Sequence, residues 1–292
     1  MLSEVGSRTA DKAAGAGRKA NREAKSLAGH PVVKFGARWG YVVRGLLYGA
    51  MGLIALLLAM GKSSHGADQK GALVLFVNNP LSLLVLATFA VGLAAYSIWG
   101  FVRAIYDPLH RGKDPVGLVA RLGFAWSGLA YAALCLTVVQ VMLGARGTLH
   151  RDSVEGVVAD LLAQPLGQQL TAVAGVIGIG AGLAQFVDAY RASWAKDLKR
   201  GAMKKEEYEA AIWFGRFGLV SRGVIFSVTG WFILQAALRR DPAKAHGFGA
   251  AFEALLREPF GHLLVAVVGL GFMALAFHSF AYARWVRMMP ER

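Results

Sequence analysis

Two arginines are the only charged residues inside the long apolar stretches of this 292-residue chain. Arg44 and Arg222 hold matching places in a repeated phrase, and Ser127 stands at the same place in a middle copy. An arginine one turn inside a membrane boundary has two uses. It can snorkel, laying its stem in hydrocarbon while the guanidinium reaches headgroups or helix-end carbonyls. Alternatively its fork can bind a phosphate through paired hydrogen bonds, which makes Arg44, Arg222 and Ser127 candidates for an anion or anionic-lipid site between helices. Three glutamines form a second set. Gln140 and Gln235 each lie 17 residues after a motif glycine, where the first copy has Leu57, and Gln185 sits near the end of the fourth apolar stretch. Amides at such depth bond to a neighbouring helix or line a polar path. Asp188, beside Gln185, is spaced to pair with Arg191 at i+3.

Other chemistries lack their residues. Of seven histidines, only His262 and His278 lie in or beside an apolar stretch. Sixteen helical residues separate them by ~24 Å, too far to share a metal. No partner histidine of suitable depth supports haem. Cys135, the single cysteine, reads as a small apolar packing residue. There is no H-E-x-x-H, no G-x-S-x-G, no phosphate-binding glycine loop after a strand and no acidic cluster within a span. The expectation is a protein that is not an enzyme and carries no metal or cofactor.

These residues must be positioned by membrane helices. The chain is 55% hydrophobic and 17% charged, yet its net charge is +14. Stretches long enough to cross a bilayer, about 20 helical residues, run from Tyr41 to Met60, Leu81 to Phe101, Leu122 to Leu143, Leu166 to Val187, Phe217 to Leu238 and Leu263 to Phe280. Outside them, 22 Lys and Arg lie on the side that holds both termini and eight on the other. The positive-inside rule then sets both termini in the cytoplasm of a bacterial inner-membrane, multi-pass protein. Topology thereby accounts for the positive charge, and nucleic acid is not an expected partner; membrane lipids, or another membrane protein, are. The basic connector from Arg191 to Ala211 reads as a helix along the cytoplasmic face.

The spans repeat. Each odd span opens on one phrase: Arg38-Trp39-Gly40 through Arg44-Gly45, Arg121-Leu122-Gly123 through Ser127-Gly128, and Arg216-Phe217-Gly218 through Arg222-Gly223. An aromatic follows three residues on, as Tyr48, Tyr131 and Phe226. Each even span is preceded by Pro80, Pro165 or Pro259, with Phe101, Phe186 or Phe280 located 21 residues later. Before each proline, apolar pairs recur at helical spacing: Ala72, Leu73, Phe76 and Val77; Val157, Val158, Leu161 and Leu162; Ala251, Phe252, Leu255 and Leu256. Each such segment reads as a short helix in the outer interface that the proline ends.

On the Arg-x-Gly-x-x-x-Arg-Gly phrase of copies one and three, and on Pro259-Phe260-Gly261-His262-Leu263-Leu264, the chain resembles the bacterial membrane proteins of domain-of-unknown-function family 1206, described as helix pairs occurring three times. The second copy departs at Ser127. The resemblance spans roughly residues 34 to 286 and implies an architecture without an activity. The expected fold is therefore all-α and polytopic: six transmembrane helices as three tandem hairpins with approximate three-fold symmetry about the membrane normal, each with a short interfacial helix. The segments are a basic N-terminal stretch (1–33), hairpins at 34–107, 118–191 and 212–286, and a basic connector (192–211). The function expected is a non-enzymatic membrane module that binds lipid or a partner. The alternative is a small-solute or lipid transporter or channel with a path between the hairpins. The mitochondrial carriers share this general plan, but their proline signature is missing from the odd spans.

Overall fold

The computed structural model describes residues 31–63, 66–77, 81–107, 112, 115–145, 147 and 153–287. The basic N-terminal stretch up to residue 30 and Pro80 lie outside them. Among the described residues there are nine α-helices: α1 (Pro31–Ala59), α2 (Gln69–Val77), α3 (Ser82–Tyr106), α4 (Pro115–Met142), α5 (Ser153–Leu162), α6 (Gly167–Arg191), α7 (Lys205–Arg239), α8 (Phe248–Leu256) and α9 (Gly261–Trp285). Six of them, α1, α3, α4, α6, α7 and α9, are long and apolar enough to cross a membrane. In hydrocarbon a helix satisfies its own backbone groups, which is why these Leu-, Ala- and Val-rich runs take that form. The protein is a polytopic helical membrane protein.

Local signals fix the helix ends. After α1 the chain turns at Gly61 (φ +68°), where Gly61 N donates to Leu58 O at 3.0 Å and Lys62 N to Leu57 O at 2.8 Å. The same paired closure ends α4 at Gly144. Copies two and three enter their even spans through Pro-Leu-Gly and Pro-Phe-Gly, with Leu166 and Phe260 in the left-handed region (φ 61° and 59°). A side chain at Gly167 or Gly261 would strike the Leu161 or Leu256 carbonyl. The first copy has Ser82 instead and keeps Leu81 at φ −93°.

The spans follow one another round a ring, and its tightest seams join different hairpins: α3 with α4, α6 with α7, and α9 with α1. Each of these seams uses the same two repeat positions. The motif glycine of one hairpin faces the phenylalanine that closes the preceding one. A methyl on Gly45 would lie 2.6 Å from Phe280, on Gly128 3.4 Å from Phe101, and on Gly223 3.1 Å from Phe186. Small residues let the backbones approach until dispersion contacts hold them together, which matters where water supplies no driving force between helices. Within hairpins, α1 packs on α3 and α7 on α9, but α4 and α6 share no extended contact. The ring is open along hairpin two. Spans α4 and α6 bury 11% and 17% of their most apolar windows, against 39–56% for the other four.

The three short helices form where the pre-proline pattern places them. In copies one and three the apolar face turns into the bundle, with Ala72, Leu73, Ala251 and Phe252 fully buried, so these helices act as lids. In copy two Val158 is buried but Val157 is 64% exposed. The connector departs from the expected surface helix. It makes two short 3₁₀ turns, Ser193–Asp197 and Arg200–Ala202, before α7 begins at Lys205. Leu198 interrupts it, buried and bridged to Val286, with Lys199 N donating to Trp285 O at 2.8 Å and Arg287 N to Asp197 O at 2.7 Å. Burying Leu198 and Trp194 against the end of α9 overrides the helical preference of the intervening lysines and alanines.

Candidate functional site

Arg44 and Arg222 converge inside the ring, in the half that holds the start of α1 and the end of α9. Arg44 Nε donates to Ser279 Oγ on α9 at 3.2 Å, and its Nη1 donates to the Tyr96 hydroxyl on α3. Its guanidinium also lies 5.0 Å from the Tyr41 ring centre, 5.1 Å from that of Tyr96 and 5.8 Å from that of Tyr48. From α7, Arg222 donates through Nη1 to Tyr48 Oη at 3.1 Å and through Nη2 to Gln185 Oε1 on α6 at 2.6 Å. Tyr131 of α4 completes the circle by donating to Tyr48 Oη at 3.5 Å. Every span therefore contributes a polar side chain to one cluster.

The repeat explains this convergence. Arg44 and Arg222 each precede a motif glycine that must face the neighbouring helix. Tyr48 and Tyr131 stand three residues after such a glycine, about one turn further in. Close packing at the glycine aims the flanking residues at the axis, and in copy three the equivalent aromatic, Phe226, lies 5.6 Å from Arg222.

Charge is unbalanced here. Among the described residues no carboxylate lies within 4 Å of either guanidinium. The Nε of Arg222 is buried and has no hydrogen-bond partner. Tyrosine faces and hydroxyls offset part of the cost of holding two cations away from water, and an unpaired donor at this depth costs further. Five N–H donors per guanidinium, set in a planar fork, suit a tetrahedral or planar oxyanion. The arrangement can hold an anion. It offers no nucleophile paired with a base and no pair of carboxylates.

Of the residues singled out from sequence, Arg44, Arg222 and Gln185 meet in the cluster. Ser127 is half-buried and is not among the hydrogen-bond partners of either arginine. Gln140 is exposed and Gln235 half-buried, and neither joins the cluster. Asp188 does not pair with Arg191; its Oδ1 accepts from Ser193 Oγ at 3.3 Å. Sequence reasoning missed Tyr41, Tyr96 and Ser279 altogether. The second apolar stretch read from sequence ends at Phe101, whereas α3 continues to Tyr106 and leaves Arg103 8% exposed, its guanidinium 4.3 Å from the Phe124 ring centre. The signal was available: Arg103 follows Trp99 by four residues, on the face that carries Tyr96.

The class of protein is thus a helical membrane bundle of three tandem hairpins with a cationic centre. The family model described as Domain of Unknown Function (DUF1206) matches three times, at residues 39–107, 122–192 and 217–286, and the chain belongs to that family. It is also similar to the uncharacterized protein YxxB of Bacillus subtilis (strain 168), with 29% identity over 262 residues covering 90% of this chain and 94% of that one. No solved structure matches it.

Proposed function

We propose that the protein is a non-enzymatic membrane module that binds anionic lipid in the inner membrane, with both termini in the cytoplasm. The observation that carries this reading is the Arg44–Arg222 cluster, two half-buried cations without a carboxylate, set beside the opening between α4 and α6. A headgroup phosphate moving laterally from the inner leaflet meets Tyr131 and Gln185 first, then the two guanidiniums. Its acyl chains lie along the exposed apolar faces of α4 and α6, which carry Leu129, Leu136, Val173 and Ile177.

A transport path is the second reading, favoured by the polar set drawn from all six spans. The far half of the bundle argues against it. Beyond Tyr48 the centre is filled by Met51, Ile54, Phe272 and Val268, and Tyr48, Phe272 and the lid residue Phe252 meet edge to face with centroid separations of 5.9 and 5.5 Å. A cup closed at its far end supports binding rather than passage.

The test is the lipid content of protein extracted in mild detergent, read by native mass spectrometry. The wild type is expected to retain anionic phospholipid. Arg222→Gln, and more fully the R44Q/R222Q double substitution, is expected to release it. Equal retention by both proteins contradicts the reading.

A further inference from the structure

A second cationic site lies apart from this centre, where the connector between hairpins two and three meets the end of α9. A cavity of about 600 Å³ is lined there by Arg191, Lys196, Arg200, Arg216 and Arg287, and no carboxylate is among its lining residues. Its remaining wall is apolar or aromatic: Leu198, Ile212 and Tyr208.

The five cations come from separate stretches of chain. Arg191 ends α6, Lys196 and Arg200 belong to the 3₁₀ turns, Arg216 is the motif arginine that opens the third repeat, and Arg287 follows α9. Folding draws them together because Leu198 is pinned to Val286 and α7 packs on α6. Such a gathering is electrostatically unfavourable without an anion, yet none of the five reaches a described acid within 4 Å. Arg216 spends one nitrogen on a long bond to the Tyr190 carbonyl, 3.4 Å. The Nε atoms of Arg216 and Arg287 are buried with no hydrogen-bond partner. Arg200 is held in place over the Tyr208 ring, 5.2 Å from its centre. Preoriented guanidiniums with unspent donors are what recognition of a phosphate dianion requires. The apolar wall suits the carbon portion of the same molecule.

We propose that this cavity binds a phosphate monoester, supplied either as a lipid headgroup or as a soluble organophosphate. It is independent of the intramembrane cluster, since it shares none of its residues.

The experiment uses the full chain reconstituted in phosphatidylcholine nanodiscs, titrated with glycerol 3-phosphate or inorganic phosphate, beside nanodiscs containing phosphatidic acid. The readout is the shift in thermal unfolding together with isothermal titration. Saturable binding of glycerol 3-phosphate, weakened at least about tenfold by K196Q/R200Q, establishes the site with a soluble ligand. Stabilisation by phosphatidic acid alone, lost in the same variant, establishes it with a lipid headgroup. Lys196 and Arg200 are exposed, so their replacement leaves the fold intact; Arg216→Gln and Arg287→Gln then test the buried donors. The R44Q/R222Q protein is expected to bind glycerol 3-phosphate as the wild type does, which separates this site from the central one. Absence of binding by every probe, or binding unchanged in K196Q/R200Q and in both single variants, overturns the proposal.

Discussion

Hairpins one and three close on themselves and on each other, whereas hairpin two does not, although all three carry the same phrase. The difference lies in what surrounds the shared positions. Copies one and three keep the arginine before the motif glycine, and each packs its own two spans together beneath a buried lid helix. Copy two has Ser127 there, splits α4 from α6, and leaves Val157 of its lid exposed where Ala72 and Ala251 are covered. Each half of hairpin two is instead held by a neighbour, α4 by α3 through Gly128 and Phe101, α6 by α7 through Gly223 and Phe186. A repeat built on seams between hairpins can thus open one hairpin without losing any of its three tight seams.

Substitutions can break this contrast. The largest expected effect is in the closed arc: Phe252→Ala removes a fully buried ring between lid and spans and is expected to cost about 3–5 kcal/mol. In the open hairpin's short helix, Val157→Ala at the exposed position beside buried Val158 is expected to cost less than about 0.5 kcal/mol, as exposed positions usually do. Thermal unfolding of the two proteins in detergent checks both; equal losses would mean that α5 is as well packed as α8.

The seams come next. Gly45→Val drives a side chain into Phe280 and is expected to destabilise by about 1–3 kcal/mol through overpacking. Gly123, with nothing within 4 Å of an added methyl, is expected to accept valine almost neutrally in the same assay. A smaller but spatially direct effect is fluorescence quenching in brominated-lipid nanodiscs. In single-tryptophan variants, Trp126 on α4 (73% exposed) is expected to be quenched strongly and Trp99 on α3 (1% exposed) hardly at all. The smallest effect concerns the start of α7, where Lys205 and Glu209 form an exposed pair at 4.0 Å. Glu209→Gln is expected to change stability by less than about 0.5 kcal/mol.

Much of this was legible in the residues. Hydropathy located six spans, because a membrane helix must be apolar for about 20 residues. The repeat pattern located the glycines and phenylalanines of the seams. It did not reveal that they meet between hairpins, since a constant offset says which positions matter and not which copy each one faces. The opening at hairpin two has a faint sequence trace, Ser127, but depends on the summed packing of two helices. The stretch ending at Phe101 falls short of α3 because a hydropathy window stops at a charge, whereas the helix runs on to Tyr106 and stacks Arg103 on Phe124. The connector lost its expected helix to long-range burial of Leu198, which no local pattern encodes. Tyr96 and Ser279 joined the cluster through tertiary geometry alone, as tyrosine and serine near a span end have many unremarkable uses.

In the proposed function, anionic lipid enters between α4 and α6 to reach Arg44 and Arg222. Photo-crosslinking with diazirine-bearing phosphatidic acid in nanodiscs tests it most directly. Labelled peptides are expected to concentrate on α4 and α6 around Tyr131 and Gln185, and that labelling is expected to be lost in the R44Q/R222Q protein. Labelling spread evenly over all six spans, and unchanged by the double substitution, would contradict it.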